Sequence, residues 1–585
     1  MSASLPPAPS AGATLRRLWA FTRPHARRRN ALLLLVLVRA CQLPALAWAT
    51  AALISGPVTR ADLGRLVLGC AGLLGLVLAT EAVFVFRMRL ALELGEAVVH
   101  DLRNSLWSRL MEMPLEFYDR WERGHLISRM TADCEAVRVG VQDVLFVGVV
   151  QLGVMLVTAG LMLAQDWLLF LVVVAIVPVL WGLLRRFHSR IARATREVQQ
   201  SFSRVTASLA ENVTGIREIQ GFSRQRINGG LFRELIYDHS HYNMGVARNS
   251  AVFLPLLEFN GQLFLALLIV VGGYRALAGE MELESVLQFF FLSSLFFGAV
   301  PILGTLYNQA LAAAAGAERV LGLLDLEPRW RDTPKAALPA PLAGKLEFRD
   351  VSLSYQPGRS ALHELDFVVE AGQTVAIVGE SGSGKSSVLR LSSKLYLPSS
   401  GAVLVDGIDL ADVKSEDLHA RMGYVLQTNF LFSGTVHENV ALGATGVDAA
   451  AIERAARELD VWDLFEQLPE GLATRVGERG LGLSAGQRQL VCLLRAMLRD
   501  PRIVVLDEAT SAIDPLTEAR LQRALDHLLK GRTALIAAHR LRTIRNADRI
   551  LVLHQGRLAE AGTHAELIAR GGRYAALFRD ATLTS

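Results

Sequence analysis

One glycine-rich stretch constrains the fold of this chain more than any other feature. It reads Gly379-Glu380-Ser381-Gly382-Ser383-Gly384-Lys385-Ser386. The spacing Gly-x4-Gly-Lys-Ser is that of a phosphate-binding loop. An apolar, β-branched run at 374–378 precedes it, and residues 387–391 can continue as a helix. Since the motif needs a strand, a loop and a helix in that order, these flanks predict an α/β domain with a phosphate site.

The residues of this loop suit a nucleotide. Glycines let backbone N–H groups turn toward an anion, and the N-terminus of the following helix adds the positive end of its dipole. Lys385 would reach the β- and γ-phosphates, and Ser386 would hold Mg²⁺. A second apolar run at 503–506 leads into Asp507, which would face the metal, and Glu508 could polarise an attacking water as general base. Acidic residues often follow apolar strands, so this pair alone would be weak evidence. It is informative because it comes after the phosphate loop, in the order that a nucleotide site requires.

The composition changes partway along the 585 residues. Long apolar runs dominate up to about residue 324, whereas apolar and polar residues alternate after residue 345. Six runs are predicted to span a membrane, at about 30–53, 63–87, 140–164, 167–187, 251–277 and 285–307. The first run is too long for a secretory signal peptide, and further apolar runs follow it.

The connections between these runs indicate the orientation. Three are short and hold few basic residues, whereas 88–139 and 188–250 are long, polar and rich in arginine. Because basic residues mark the cytoplasmic side, the N-terminus, both long connections and the chain after the sixth run are placed inside. The long connections are expected to form helical hairpins with tips at 114–120 and 211–217. We therefore expect a multi-pass protein of a bacterial inner membrane, with the nucleotide domain in the cytoplasm.

Charge and cysteine usage exclude other classes. The net charge of +5 is modest and lies largely in arginines beside the apolar runs, so nucleic acid is not an expected partner. The four cysteines lack the spacing of a disulfide framework or a zinc site. Four segments are predicted. They are a disordered N-terminus at 1–12, a transmembrane domain at 13–325 that includes an elbow helix, a proline-containing linker at 326–344 and a nucleotide-binding domain at 345–585.

Further motifs resemble one family. The run Leu483-Ser484-Ala485-Gly486-Gln487 resembles the signature motif of ABC-type ATPases and lies upstream of Asp507, as that family requires. Residues 474–480 are similar to a loop particular to transporters of the exporter architecture. The resemblance extends from about residue 15 to 577 and includes 117–119 and 124–129 in the first hairpin. It implies a half-transporter, a multidomain membrane protein in which an all-α six-helix transmembrane domain precedes an α/β P-loop ATPase domain.

The resemblance also implies site residues. Tyr355 matches the aromatic that stacks on adenine, Gln427 the glutamine that senses Mg²⁺, and His539 the histidine that senses the γ-phosphate. The expected catalytic residues are Glu508, His539 and Gln427. The expected nucleotide-binding residues are Tyr355, Gly379, Ser381, Gly382, Ser383, Gly384, Lys385, Ser386, Ser387, Asp507, Ser484, Gly486 and Gln487. The expected Mg²⁺ ligands are Ser386, Gln427 and Asp507.

In this family two ATP molecules close two nucleotide-binding domains, because each site needs the partner's signature motif. A second half-transporter is therefore an expected partner, beside membrane lipid. Ala485 replaces a glycine that is usual in the motif, which indicates either tolerated drift or a weakened site. A heterodimer is slightly favoured over a homodimer, since this chain's own site is complete and the altered motif serves the partner.

The implied function is ATP-driven export or flipping of an amphiphilic or hydrophobic drug, lipid or peptide by alternating access. Two alternatives stay open, namely an importer of siderophore-like substrates on the same architecture and an ATP-gated regulatory subunit. Within the membrane domain, Arg39, Glu81 and Glu258 are expected to face the bundle interior in its inner half, since ionisable groups are costly against lipid. They would either brace neighbouring helices or contact substrate.

Overall fold

The computed structural model describes residues 16–584 apart from 18, 59, 333–334, 357, 427, 445, 508–514 and 539. The chain divides into two compact units. The first, here called the helical unit, comprises the described residues up to Arg109 and residues 124–326. The second, here called the α/β unit, comprises Leu110–Arg123 and the described residues from Glu327 onward. The α/β unit thus includes the predicted tip of the first hairpin.

Long helices dominate the first part of the chain. They are α1 (Ala26–Leu53), α2 (Leu63–Met111), α3 (Leu115–Arg120), α4 (Arg123–Ser128), α5 (Cys134–Val139), α6 (Gly148–Gln165), α7 (Trp167–Thr214), α8 (Ile216–Gly221), α9 (Gln225–Leu277) and α10 (Leu283–Leu324). Short π-helical turns lie at Ile54–Val58, Arg129–Asp133 and Gly140–Val147. Helices α2, α7 and α9 have 49, 48 and 53 residues, or about 70–80 Å at 1.5 Å per residue. Since the hydrocarbon core is about 30 Å thick, these helices are longer than a membrane span needs. The extension of the hairpins into the cytoplasm stays a prediction.

Helices cover all six runs that the sequence predicts to be membrane spans. Among the described residues, four helical segments are long and apolar enough to cross a membrane: Arg23–Val58, Leu63–Met111, Arg123–Gln165 and Glu284–Leu324. The fourth and fifth predicted runs lie in α7 and α9, and Gly261–Leu277 within α9 is a shorter apolar helix. The count of six spans therefore stays a prediction.

An ion pair joins α10 to the π-helical turn that follows α4. The guanidinium of Arg319 lies 2.5 Å (Nη2) and 2.9 Å (Nε) from the carboxylate of Asp133. The guanidinium of Arg129 donates to the carbonyl of Arg319 at 2.8 Å. Asp133 and Arg129 are both buried. These bonds fix the position of the helix that leads out of the helical unit.

The α/β unit contains twelve strands among its described residues: β1 (Leu346–Gln356), β2 (Arg359–Val369), β3 (Thr374–Val378), β4 (Ser400–Val405), β5 (Ile408–Asp409), β6 (Met422–Val425), β7 (Gly434–Thr435), β8 (Arg475–Val476), β9 (Ile503–Asp507), β10 (Thr533–Ala537), β11 (Arg549–His554) and β12 (Arg557–Gly562). The main sheet has the order β12-β11-β3-β10-β9-β6 and is parallel apart from β12. A second, antiparallel sheet has the order β2-β1-β4-β5, and β7 pairs with β8.

Helices and turns connect these strands. The helices are α11 (Lys385–Ser392), α12 (Ser415–Ala420), α13 (Val436–Val440), α14 (Ala449–Glu458), α15 (Trp462–Glu466), α16 (Ala485–Met497), α17 (Pro515–Leu529), α18 (Leu541–Asn546), α19 (His564–Arg570) and α20 (Arg573–Thr584). Val504 and Leu506 pack into one hydrophobic core and Ile503 and Val505 into another. Because successive side chains of a strand point to opposite faces, the main sheet is covered on both sides.

The register of the main sheet determines where its loops meet. Ala537 of β10 pairs with Ile377 of β3 on one side and with Asp507 of β9 on the other. The carboxyl ends of these parallel strands therefore lie at one edge of the sheet, where ligands of open α/β folds bind. The predicted fold class, an all-α membrane domain followed by an α/β P-loop domain, is confirmed.

Candidate nucleotide site

The glycine-rich loop connects the end of β3 to the first residue of α11, as predicted. Two of its glycines cannot be replaced without strain. Gly379 has a φ of +155°, and a Cβ there would lie 2.3 Å from the carbonyl oxygen of Leu553. Gly384 has a φ of +108°, and a Cβ there would lie 2.5 Å from Cδ2 of Leu362. Only glycine allows this backbone to pass so close to its neighbours.

Lys385 is buried at the start of α11. Its ammonium donates to the carbonyls of Gly379 at 2.7 Å and of Glu380 at 3.0 Å. Burial lowers the pKa of Lys385, and the charge of Asp507 partly opposes that shift. The ammonium is thus held over the loop by the loop's own backbone. The buried Oγ of Ser383 has no hydrogen-bond partner among the described residues.

The remaining loop residues differ in exposure. Ser381 and Gly382 are exposed, Ser386 is half-buried and Ser387 is buried. The hydroxyl of Tyr355 donates to Oγ of Ser387 at 2.9 Å. The predicted adenine-stacking residue is therefore hydrogen-bonded to the helix that follows the phosphate loop.

Of the predicted acidic and polar residues, the described part of the structure places Asp507 at the same sheet edge as the loop. Asp507 ends β9, which is separated from β3 by β10 alone. Gln427, Glu508 and His539 lie outside the described residues. They follow β6, β9 and β10, whose carboxyl ends share one sheet edge with the loop. Their predicted roles stay predictions.

The signature-like motif begins helix α16. Oγ of Ser484 accepts from the N–H of Gln487 at 3.2 Å, and Oε1 of Gln487 accepts from the N–H of Ser484 at 2.9 Å. This reciprocal pair is a capping box, which satisfies N–H groups at the helix start. Ala485 is the first helical residue and Gly486 is buried. The backbone at Ala485 is helical, so an alanine fits there without strain.

Sequence reasoning missed a cluster around the hairpin tip α3. The hydroxyl of Tyr396 donates to the carboxylate of Asp119 at 2.6 Å, and Nη1 of Arg390 lies 3.3 Å from the same oxygen. Burial raises the pKa of Tyr396, and the Asp119 charge adds to that shift. Arg120 donates to the carbonyl of Tyr355 at 3.1 Å. These residues line a cavity of about 190 Å³.

A second contact holds the same tip. The buried carboxylate of Glu116 accepts from the guanidinium of Arg329 at 3.0 Å. Arg329 belongs to the predicted linker, so α3 is bonded both to the segment before β1 and to the region of the phosphate loop. The motif at 117–119 drew attention to α3 in the sequence, but no signal marked Tyr396, Arg390 or Arg329 as its partners.

Family models match both parts of the chain. The model described as "ABC transporter transmembrane region" matches residues 30–300. The model described as "ABC transporter" matches residues 362–511, which include the phosphate loop, the signature-like motif and the strand β9. Together they cover most of the chain, in the order that the sequence resemblance implies.

Individual relatives agree with the family models. An uncharacterised ABC transporter ATP-binding protein of Bacillus subtilis is 35% identical over 86% of this chain and 84% of its own length. An ATP-dependent lipid A-core flippase of Pseudomonas fluorescens is 35% identical over 82% of this chain and 80% of its own length. A fatty acid ABC transporter ATP-binding/permease protein of Mycobacterium bovis is 35% identical over 81% of this chain and 75% of its own length.

Proposed function

The chain belongs to the ABC transporter family as a half-transporter of the exporter kind, and from that premise we propose that it exports or flips an amphiphilic or hydrophobic compound. It binds ATP and couples ATP hydrolysis to transport. The observation that carries the proposal is the union, in one chain, of apolar membrane helices with a complete phosphate loop. Two of the relatives are named for lipids or fatty acids, which supports an amphiphilic substrate.

We assign the binding of the triphosphate to the loop between β3 and α11. The N–H groups of Gly382, Gly384 and Lys385 would surround the phosphates, with the helix dipole of α11 adding positive potential. Lys385 already lies over the loop, within reach of its carbonyl oxygens. Ser381, Ser383 and Ser387 would complete the polar lining, and the unpartnered Oγ of Ser383 is suited to donate to a phosphate oxygen.

Hydrolysis is assigned to residues at the same sheet edge. Glu508 would accept the proton of the attacking water, and His539 would contact the γ-phosphate. Asp507, Ser386 and Gln427 would hold Mg²⁺, which when bound offsets the negative charge on the β- and γ-phosphates. Asp507 ends β9 next to β10, which supports its placement near the phosphates. Tyr355 would stack on the adenine.

Transport requires a second half-transporter. Ser484, Gly486 and Gln487 lie at the start of α16, where the hydroxyl of Ser484, the N–H of Gly486 and the side chain of Gln487 would face ATP held by the partner. Closure of two such sites would pull on the hairpin tips and switch the membrane domains between inward-open and outward-open states. The bonds from Asp119 and Glu116 make α3 the element of this chain that would transmit the movement.

The partner is proposed to be a different chain, slightly in preference to a second copy. The motif that this chain lends contains Ala485, whereas the residues of its own site are complete. The added methyl group would affect only the ATP that the partner holds. Membrane lipid surrounds the helices, and the substrate is proposed to be a small molecule, lipid or peptide. The proposed location is the bacterial inner membrane, with the α/β unit in the cytoplasm.

An importer of siderophore-like compounds and an ATP-gated regulatory subunit are the alternatives. Inside-out membrane vesicles separate the three functions, because the ATP-binding domains face the medium. An exporter accumulates labelled amphiphiles when ATP is added, and an importer releases compounds loaded inside. A regulatory subunit hydrolyses ATP without moving either class of compound. Accumulation of at least one labelled amphiphile, abolished by Glu508→Gln, is the result that the proposal predicts.

A further inference from the structure

Two arginines in the helical unit lie against one aromatic ring. The guanidinium carbon of Arg39 in α1 lies 5.1 Å from the ring centroid of Phe84, and that of Arg87 lies 5.3 Å from the same centroid. Phe84 and Arg87 are three residues apart in α2, so they share one face of that helix. Thr80, one turn before Phe84, accepts a hydrogen bond of 2.7 Å at its carbonyl from Arg39. The group Arg39, Thr80, Phe84 and Arg87 is here called the arginine pair site.

The two positive charges are poorly compensated. Arg87 is only 5% exposed, and its buried Nε has no hydrogen-bond partner among the described residues. Oγ1 of Thr80, which is 2% exposed, has none there either. The nearest described carboxylate, Glu81, lies 3.9 Å from Nη2 of Arg39 and is 61% exposed. Within the described residues, Arg87 has no carboxylate partner.

Such an arrangement is costly if it serves structure alone. A buried guanidinium without a partner loses its hydration and gains little in return, and a second cation nearby adds repulsion. The two cation–π contacts offset only a part of this desolvation cost, at about 0.5–2 kcal/mol each. Ionisable groups inside membrane segments are therefore expected to serve a ligand or a pathway.

The chemistry of the site selects an anion. A guanidinium presents planar N–H donors that match the oxygens of a carboxylate or a phosphate. The unpartnered Nε of Arg87 and hydroxyl of Thr80 would donate to the same oxygens. Both guanidinium carbons lie within 5.3 Å of the Phe84 ring centroid, so one anionic group beside the ring would be within reach of both.

The position of the site selects an amphiphile. Arg87 lies 24 residues beyond the first residue of α2, or about 36 Å along the helix. That distance exceeds the roughly 30 Å of a hydrocarbon core and brings Arg87 to the boundary where lipid headgroups lie. At that boundary a bound anionic group would sit at the depth of the headgroups, with the apolar part of its molecule beside the hydrocarbon core. A ligand with an anionic headgroup and an apolar chain fits this depth.

We propose that the arginine pair site binds the anionic headgroup, carboxylate or phosphate, of the amphiphile that this transporter moves. The inference rests on the proposed function and deepens it, because it gives the substrate a negative charge. It assigns Arg39 and Arg87 as the residues that recognise that charge.

Equilibrium binding to the purified full-length transporter tests the proposal. The probes are radiolabelled oleate and dioleoyl phosphatidic acid, with oleyl alcohol as the uncharged counterpart and inorganic phosphate as the anion without a chain. Wild-type protein is expected to bind both anionic amphiphiles at least tenfold more tightly than oleyl alcohol or phosphate. Arg87→Gln and Arg39→Gln are each expected to weaken that binding by about tenfold, the equivalent of one charge-assisted hydrogen bond.

Arg89→Gln is the matched control. Arg89 lies two residues further along α2, is 74% exposed and pairs with Glu93 at 2.8 Å. The same change of charge at this position is expected to leave binding of both anionic amphiphiles unchanged. An equal loss in Arg89→Gln and Arg87→Gln would overturn the site, because it would indicate a general effect of net charge.

Thermal unfolding distinguishes a ligand site from a structural brace. In the absence of amphiphile, Arg87→Gln is expected to raise the Tm, since it removes a buried cation without a partner, and to abolish the increase in Tm that oleate causes. A lower Tm with unchanged oleate binding would mean that Arg87 only braces helices. Should the glutamine variant fail to fold, Arg87→Lys keeps the charge but loses the Nε donor and the planar guanidinium, so it is expected to weaken oleate binding, and unchanged oleate binding would overturn the site.

The remaining outcomes separate this inference from the proposed function. If oleyl alcohol and oleate bind equally well, the site does not recognise an anionic headgroup. If inorganic phosphate binds as tightly as phosphatidic acid, the site does not recognise an amphiphile. If vesicles accumulate labelled amphiphiles while Arg39→Gln and Arg87→Gln bind oleate normally, the inference fails and the proposed function stands. If wild-type vesicles hydrolyse ATP and move no amphiphile, the proposed function itself fails.

Discussion

The hydroxyl of Tyr396 donates a hydrogen bond of 2.6 Å to the carboxylate of Asp119, 277 residues earlier in the chain. Tyr396 follows the helix of the phosphate loop, and Asp119 lies in the hairpin tip α3. The rings of Tyr396 and Tyr355 pack edge to face at 5.0 Å. One side chain thus touches both the tip and the residue that is proposed to hold the adenine, which gives a short physical route between nucleotide and hairpin.

Replacing Tyr396 by phenylalanine tests this route. The change keeps the buried ring and removes the hydroxyl, so that Asp119 loses a hydrogen bond worth about 1.5–3 kcal/mol. ATP hydrolysis is expected to stay within about twofold of wild type, whereas ATP-driven transport falls about fivefold or more. ATPase rates and vesicle accumulation, measured on the same preparation, give the ratio of molecules moved to ATP consumed.

Tyr574→Phe is the control for that change. Tyr574 is also buried, and its hydroxyl is hydrogen-bonded to Nδ1 of His564 at 2.7 Å in the C-terminal helices. The variant loses a comparable bond without touching α3 and is expected to keep the transport ratio. If the two variants lower the ratio equally, loss of stability and not loss of the Asp119 contact would explain the Tyr396 result.

Glu508→Gln is expected to stop turnover at this chain's own ATP site. Glutamine keeps the shape of the side chain and cannot accept the proton of the attacking water, so hydrolysis should fall by about 100-fold or more. ATP binding, measured by equilibrium dialysis, should be unchanged. A wild-type ATPase rate in the purified transporter would show that Glu508 is not the base of the site that turns over.

A buried ammonium ties the predicted linker to the rest of the α/β unit and makes stability depend on pH. Lys394 is 2% exposed and donates to Asp332 at 2.7 Å, and the same carboxylate accepts from the N–H of Ser415 at 2.7 Å. Burial alone would raise the pKa of Asp332, but the hydrogen bonds from Lys394 and Ser415 lower it below its usual value. The resulting stability is present at neutral pH and is lost as the pH falls through the ordinary range near 4 toward the lowered pKa.

Asp332→Asn is therefore expected to lower the Tm of the full-length protein at pH 7 and to flatten its decline between about pH 5 and pH 3. Asp412→Asn is the control, because Asp412 pairs with the exposed Lys335 at 2.9 Å and exposed pairs contribute about 0–1 kcal/mol. A Tm for Asp332→Asn that equals wild type at pH 7 and follows the same pH profile would contradict the assigned ion pair.

Expression of this chain alone tests the proposed heterodimer. The protein is expected to be monomeric or weakly active in detergent and to gain ATPase activity with a co-expressed partner half. In that complex, Ala485→Gly should raise hydrolysis at the partner's site and leave this chain's own site unchanged. A stable dimer of identical chains with brisk, substrate-stimulated ATPase activity would rule out the need for a second kind of chain.

The features predictable from the sequence are those that local residues determine. The phosphate loop, the strand before it and the helix at Lys385 all follow from glycine spacing and apolar runs. The bond from Tyr396 to Asp119 could not be predicted, because it depends on how two distant segments pack. The arginine pair site was predictable only in part: the sequence singles out Arg39, which is half-buried, whereas it marks Arg87 only as the end of a predicted span. Glu81 and Glu258 are exposed on the single chain, so their place in the dimer stays a prediction.

ATP-driven movement of an amphiphile in proteoliposomes tests the central claim most directly. The purified transporter, with its partner half if one is needed, is reconstituted in neutral lipid with fluorescent derivatives of oleate and of an uncharged amphiphile. With external ATP, wild-type protein is predicted to move at least one derivative at a rate that follows ATP hydrolysis, and Glu508→Gln is predicted to move neither. ATP hydrolysis without movement of any amphiphile, or movement that persists in Glu508→Gln, would contradict the account.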